Sequence, residues 1–279
     1  MRQPDGRWSE TEKLKQFLLR DFPSPDGRII LSGKDYHYLA RVRRVKAGDV
    51  LDAALPDGSP ARLTVISAEE NALLCGVRVE ETPAEQKRED GGPLIILLQA
   101  VPQPAKMDLL VRQATEGGVY AIVPFVSRYS FKAATFRLER WRRIVREARQ
   151  QSGSPVATTV EEPRGSVDEA LAYYREARTQ AAARGENTAA LLLHEKEKGA
   201  DGSFHRALAF RPDTVFVVIG PEGGLADEET ADFVQNGFVV INMGPNVLRV
   251  ETAAAWAVGV VSVTAREFAF WKLGELWKS

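Results

Sequence analysis

Between residues 15 and 82 the apolar positions come in short groups, at 17–19, 29–31, 50–54, 61–66 and 73–79, with Pro, Gly and Asp between them. Groups of that length bounded by turn formers predict strands, and one helical stretch at 34–45, ending before Gly48, interrupts them. The pattern predicts a small β-barrel-like module. A polar lead-in at 1–14 precedes it, and the segment 83–92, within TPAEQKREDGG, has the composition of a linker.

From residue 93 the period changes. The run 94–101 is continuously apolar, as suits a strand covered on both faces, and a helical pattern at 105–116 and a strand at 121–126 follow it. Helices are predicted at 136–151 and 167–183, strands at 189–193 and 214–219, a helix at 227–236, a strand at 238–242 and a last helix from Glu251. This alternation argues for an α/β domain over 93–279, a mostly parallel sheet with helices on both faces whose ligands bind beyond the C-terminal strand ends. The last helix carries Ala253, Ala254, Ala255, Trp256, Ala257, Val258, Val260, Val261 and Val263 with no polar stripe. One sheet face does not cover such a helix, so a subunit interface is the expected cover, with complete burial in one chain as the alternative.

Two of the strand ends open into glycine-bearing loops, Gly220-Pro221-Glu222-Gly223-Gly224-Leu225 and Met243-Gly244-Pro245-Asn246-Val247-Leu248-Arg249. Glycine lets the backbone approach a ligand closely and take up positive φ, so the pair predicts a pocket walled by main-chain groups and suited to a small organic ligand. Either loop alone would also serve as a tight strand-to-helix turn. Gly220, Gly223 and Gly224 lack GxGxxG spacing and no Gly-Lys-Ser/Thr follows them, which argues against a nucleoside triphosphate.

Charge alters the picture locally rather than globally. Lys plus Arg total 37 against 38 for Asp plus Glu, a balance that points to no particular partner. Yet 137–149 holds six arginines against two glutamates, and Arg41, Arg43, Arg44 and Lys46 follow one another with no acid between them. On the first of these stretches Trp141, Ile144, Val145 and Ala148 share one helical face while Arg142, Arg146 and Arg149 share another, either a solvated face or a track for phosphates. Cys75, the only cysteine, sits among apolar neighbours and reads as a buried small hydrophobe in a reducing, cytoplasmic protein. His37, His194 and His205 are too scattered for a zinc motif, so no metal is expected. No basic region followed by an apolar stretch lies near Met1, and the longest apolar run, 253–263, is well short of a membrane span, so a soluble protein is expected.

The blocks HYLARVRRVKAGD from His37, KMDLLVRQATEGGV from Lys106, PFVSRYS from Pro124, RWRRIVREARQQS from Arg140, LLLHE from Leu191, IGPEGGL from Ile219 and LRVETA from Leu248 span nearly the whole chain. In this order they resemble the RsmE-type methyltransferases of the SPOUT class. The resemblance implies a homodimer with a trefoil-knotted C-terminal methyltransferase domain and an N-terminal PUA-like RNA-binding β-barrel. It also implies S-adenosylmethionine held in the knot. The implied reaction is methylation of N3 of one uridine of 16S ribosomal RNA, uridine 1498 in the family's customary nucleotide numbering, with that RNA or the small ribosomal subunit as partner. Carried onto this chain, the cofactor set is Leu192, His194, Gly220, Pro221, Glu222, Gly223, Gly224, Leu225, Met243, Gly244, Asn246, Val247, Leu248 and Thr252. The RNA-binding set is Arg20, Arg41, Arg43, Arg44, Arg142, Arg146, Arg149, Gln151 and Ser152. The chain departs from the family's pattern at Gly117, where Leu is common, at Ser154 and Asn246, where Arg is, and at Val250, where Thr is.

Methyl transfer to a uracil nitrogen is an in-line displacement, so the protein's main task is to hold donor and acceptor close and aligned, with no nucleophilic residue of its own. Loss of the N3 proton leaves charge on the flanking carbonyl oxygens. Arg249 is the first candidate to stabilise it and Arg128 the second, although Arg249 would equally suit a salt bridge to Glu222 or Glu251. Glu251 either accepts the N3 proton or complements the dipole of the helix that begins there. Two other readings stand beside this one, a SPOUT enzyme with another RNA target and a catalytically silent RNA-binding protein of ribosome assembly.

Overall fold

A computed structural model describes residues 17–56, 59–79, 92–131, 136–194 and 203–267, so the predicted lead-in and nearly all of the linker lie outside the described residues. The chain divides into two compact units, Met1–Gln86 with Arg149–Ala157, and Lys87–Ala148 with Thr158–Ser279.

The first unit is a five-stranded sheet in the order β1-β3-β4-β5-β2, from β1 (Phe17–Leu18), β2 (Arg28–Ser32), β3 (Val50–Ala54), β4 (Pro60–Ala68) and β5 (Ala72–Val79). Its strands alternate inward and outward, and Phe17, Leu31, Leu51, Leu63, Val65, Leu73 and Cys75 meet in one core. Burial of Cys75 pushes its thiol up to about 11, which keeps it protonated and inert at neutral pH. The predicted helix at 34–45 is shorter and wider than expected: α1 (Gly33–Tyr36) runs into a π-helical turn, His37–Val42. The widening brings the Arg43 amide to the Tyr38 carbonyl at 2.9 Å and the Val45 amide to that of Leu39 at 3.0 Å, so that Leu39 and Val45 both reach the core. Arg44 then turns the chain with φ 56° and ends the helix.

The second unit is a six-stranded, wholly parallel sheet in the order β11-β9-β10-β6-β7-β8. Its strands are β6 (Leu94–Ala100), β7 (Ala121–Phe125), β8 (Thr159–Val160), β9 (Thr188–Leu193), β10 (Thr214–Ile219) and β11 (Val239–Ile241). On one face α2 (Pro104–Glu116), α3 (Leu138–Ser152), α5 (Phe204–Leu208) and α7 (Val250–Glu267) bury Met107, Leu110, Trp141, Ile144, Leu208, Ala257 and Val261 against Leu97, Val217 and Leu191. On the other, α4 (Val167–Ala183) and α6 (Asp227–Gln235) bury Leu171, Tyr174 and Phe233 against Leu98, Phe216 and Leu192. Both faces are therefore covered, which is why the strands read as unbroken apolar runs. β10 lies between β6 and β9, so neighbouring crossovers leave the sheet in different directions beside its C-terminal edge.

Two elements lacked a signal in the sequence. β8 has two residues and α5 has five, too short to show a period. The last helix also differs from the expectation. One side of α7 is buried at Ala254, Ala257, Val258 and Val261, while Trp256 and Val263 remain 54% and 52% exposed, so within one chain it is half covered. Among the described residues no helix is long and apolar enough to cross a membrane.

Candidate cofactor pocket at the strand ends

A pocket of about 300 Å3 lies at the C-terminal ends of β9, β10 and β11, at the lower end of the range for small-ligand sites. Its walls are Leu193 and His194 after β9, Ile219 to Leu225 after β10, Met243, Gly244 and Asn246 to Arg249 after β11, Val250 and Ala253 of α7, and Lys106 of α2.

The loop after β10 folds back on itself. A Cβ placed on Gly220 would lie 3.0 Å from the Gly224 carbonyl carbon and 3.1 Å from the Leu225 nitrogen, so only glycine fits without moving backbone. Gly224, at φ 74°, closes the turn with its amide on the Pro221 carbonyl at 2.9 Å. Beneath it the buried Gln99 amide donates to the carbonyls of Ala100 at 2.8 Å and Gly220 at 3.3 Å. Glu222 accepts from the Gln103 amide at 3.1 Å and pairs with Lys106 at 3.0 Å. Burial opposes its ionisation but is outweighed by hydrogen bonds from its own amide, Lys106 and Gln103, so its carboxyl is held below the usual carboxylate range. Gly223 lies against Tyr129, and Glu229 of α6 ties the loops together by accepting the Arg128 amide at 2.7 Å and the Ala226 amide at 2.9 Å.

Among the described residues the loop after β11 shows fewer ties. The Gly244 amide donates to the Asn242 side chain at 2.8 Å with φ 110°, and Val247 is 75% exposed. Arg249 lines the pocket and, among the described residues, makes no ion pair, so neither Glu222 nor Glu251 holds it as a structural partner. Glu251 is 9% exposed, and its Oε2 has no hydrogen-bond partner.

The pocket thus gathers His194, Gly220, Pro221, Glu222, Gly223, Gly224, Leu225, Met243, Gly244, Asn246, Val247, Leu248 and Arg249. Four predicted residues fall outside its walls. Leu192 points to the opposite face of the sheet and packs with Phe216 and Phe233, because successive strand residues alternate; its neighbour Leu193 is the wall. Val250 and Ala253 share the pocket side of α7, which turns Glu251 and Thr252 away at about 100° per residue. Arg128 pairs with Glu228 at the surface of α6. Lys106 is a wall that the sequence marks only by a lysine in the first turn of a helix, where cations are disfavoured.

The basic residues sort by partner. Arg20 pairs with Asp35 at 3.0 Å, and Arg142 is shared by Glu139 at 2.9 Å and Glu162 at 3.3 Å. Arg149 leaves the solvated face: it is 6% exposed, two of its nitrogens lack partners, and burial lowers its pKa. Arg41, Arg44 and Arg146 are exposed, as are Gln151 and Ser152 at the end of α3.

The parallel α/β unit and its glycine-walled pocket lie within the match to the RNA methyltransferase domain family, residues 91–262, and the RNA methyltransferase PUA domain family matches residues 31–77. Ribosomal RNA small subunit methyltransferase E of Mycobacterium bovis is 30% identical over 253 residues, covering 88% of this chain and 90% of its own. The protein of that name from Aquifex aeolicus is 30% identical, covering 84% and 92%. Among solved structures, ribosomal RNA small subunit methyltransferase E of Neisseria gonorrhoeae, bound to S-adenosyl methionine, superposes with a TM-score of 0.67 at 23% identity, covering 89% of this chain and 97% of its own. The chain belongs to the RNA methyltransferase family, with the ribosomal RNA small subunit methyltransferase E proteins as its relatives. It is a methyltransferase enzyme with an N-terminal PUA-like domain.

Proposed function

We propose that this protein uses S-adenosylmethionine to methylate N3 of one uridine in 16S ribosomal RNA, the uridine numbered 1498 in the family's customary scheme. The observation that carries this reading is the pocket itself, where Gly220, Gly223 and Gly244 bring main chain to the wall and Arg249, in no ion pair among the described residues, stands beside them. The residues fit the cofactor: glycine loops and main chain suit the adenosine, Leu193, Leu225 and Met243 offer apolar contact, and a mixed-charge pair lies within reach. Bound there, S-adenosylmethionine supplies an electrophilic methyl group.

Arg249 stabilises the negative charge that develops on the uracil carbonyl oxygens as N3 loses its proton. Water accepts that proton, while Glu251, at the second position of α7, complements the positive end of the helix. Arg128 serves as a second, peripheral cation at the rim of the loop after β7. The exposed Arg41, Arg44 and Arg146 bind phosphates, so affinity for the RNA falls steeply with salt. The target base is single-stranded or flipped, since a base edge within an A-form helix does not meet such a pocket. Two copies associate through the uncovered side of α7, where Trp256 and Val263 are exposed, and each carries its cofactor in a trefoil knot; the protein works in the reducing cytoplasm, where the lone Cys75 stays a thiol.

Mass spectrometry of 16S ribosomal RNA from a deletion strain identifies the target; a full complement of N3-methyluridine in that RNA rules the reaction out. Titration of Gly223→Val with S-adenosylhomocysteine tests the pocket, because the added side chain meets Tyr129 at 3.0 Å and cofactor binding is expected to vanish. Light scattering that finds monomers alone removes the dimer.

A further inference from the structure

Tyr129 stands in the turn that follows β7, at the same end of the sheet as the pocket. Its side chain is 51% exposed and, among the described residues, makes neither a hydrogen bond nor a ring contact. The backbone that carries it is tied on both sides. The Val126 amide donates to the Arg164 carbonyl at 3.0 Å, the Ser127 amide to Ser130 Oγ at 2.9 Å, the Arg128 amide to Glu229 at 2.7 Å and the Phe131 amide to the Val101 carbonyl at 3.1 Å. A fixed turn that leaves a large ring bare presents that ring at little further cost in ordering, as a docking platform requires.

The ring is also placed with respect to the pocket. A Cβ built on Gly223 would lie 3.0 Å from Tyr129 Cβ and 3.4 Å from its Cγ; Gly223 is a pocket wall and Tyr129 is not, so one glycine's thickness separates the tyrosine from the ligand space. Charge at this turn is balanced rather than positive, because Arg128 pairs with Glu228 and the first turn of α6 holds Asp227, Glu228 and Glu229. What the turn adds to the site is an aromatic face.

We propose that Tyr129 is a stacking platform for the RNA, taking the base of the nucleotide next to the methylated uridine while the uridine itself enters the pocket. The inference rests on the RNA methyl-transfer reading given above. Every base has a π face, so stacking on tyrosine fixes the strand's position without reading its sequence. Tyr129 touches no reacting atom; it is a positioning residue that holds the strand in register with them. The platform narrows the class of substrate. The neighbouring base has to leave its own helix to lie on the ring, so the acceptor is an unpaired run longer than a single nucleotide, in a loop or junction, and not a lone base flipped from a continuous duplex.

Two measurements on the full-length protein test this. The first is anisotropy titration with two single-stranded probes of about ten nucleotides, oligouridylate and the base-free ribose-phosphate chain of the same length, which share their charge and differ in their bases. Wild type is expected to prefer oligouridylate by about ten-fold. Tyr129→Ala should lose most of that preference by weakening oligouridylate alone, and Tyr129→Phe, which keeps the ring, should restore it. The salt dependence of binding should keep the same slope in all three proteins, since no cation is removed. The second is methyl transfer to small ribosomal subunits from a deletion strain. Tyr129→Ala should raise KM for the subunits about ten-fold, with kcat and affinity for S-adenosylhomocysteine within about two-fold of wild type. Alanine keeps the Cβ that lies nearest Gly223, so the cofactor loop retains that contact. Equal binding of both probes by wild type, an unchanged KM, a Tyr129→Phe protein as weak as Tyr129→Ala, or a parallel loss of S-adenosylhomocysteine affinity overturns the platform and leaves Tyr129 as packing for the glycine loop. A change in the mass of Tyr129→Ala by light scattering overturns it too, assigning the ring to a contact between subunits. A wild type that transfers no methyl group to the subunits removes the reaction proposed above, and the platform falls with it.

Discussion

The loops after β10 and β11 open from the same edge of one sheet and share one pocket, yet they are held in different ways. The first is fixed from several sides: Gly220 touches its own backbone, Gln99 and Gln103 bond it from below, Lys106 pins Glu222, and Tyr129 lies against Gly223. The second is tied at its base by the Asn242 side chain on the Gly244 amide, and its later residues face solvent or the pocket, with Arg249 in no ion pair among the described residues. A wall whose atoms are held by the protein presents fixed groups to a ligand that is the same at every turnover. A wall whose charged group has no partner among the described residues keeps that group available for charge that appears only during reaction.

Equivalent substitutions in the two loops should therefore fail by different routes. Gly220→Ala has the largest expected effect, because its Cβ would sit 3.0 Å from main-chain carbon that cannot rotate away. Affinity for S-adenosylhomocysteine should fall by more than about a hundred-fold, while circular dichroism shows an otherwise folded chain. An affinity near wild type would mean that the first loop is not the fixed wall described here. Arg249→Ala comes next. Turnover on the RNA should drop about a hundred-fold with cofactor affinity within about two-fold of wild type. A parallel loss of cofactor affinity would make the second loop another cofactor wall and dissolve the contrast.

Much of this division was legible in the residues. The two glycine loops, their place after apolar runs, and Arg249 at the exit of the second all stand in the sequence, since strand ends and positive-φ glycines leave local marks. Leu192 was misplaced because Leu191-Leu192-Leu193 lies in a strand buried on both faces, and an unbroken apolar run hides which residue faces which side. Lys106 was missed because its partner Glu222 is more than a hundred residues away, and nothing local reports that pairing. The same holds for Gly117. A Cβ there would lie 2.8 Å from Val258 on α7, so the departure from the family's common leucine is a packing match between α2 and α7 that only the folded chain displays. Arg149 keeps the helical spacing of Arg142 and Arg146, yet it is buried while Arg146 is exposed, and spacing alone does not report that difference.

A milder expectation belongs to Gly244→Ala. Nothing lies within 4 Å of the added methyl group, so the substitution meets no atom and costs only the strain of φ 110° for an L residue. That is roughly 1–2 kcal/mol, or about thirty-fold in cofactor affinity at most, gentler than the loss expected of Gly220→Ala. Should the two alanines prove equally damaging, the second loop is as tightly specified as the first.

The smallest effect concerns pH. The Glu222 carboxyl is held below its ordinary value, with burial outweighed by the Lys106 and main-chain hydrogen bonds, so its folded pKa is depressed. A depressed carboxylate stabilises the folded chain fully above its unfolded pKa, and that stabilisation is lost as pH falls through the folded value. At neutral pH wild type should therefore have a slightly higher urea midpoint than Glu222→Gln, and the two curves should converge in the acidic range. A gap between wild type and Glu222→Gln that stays constant across the acidic range would show that ionic pinning is not what holds the first loop. The greater fixity of that loop would then rest on Gly220 and Gln99 alone.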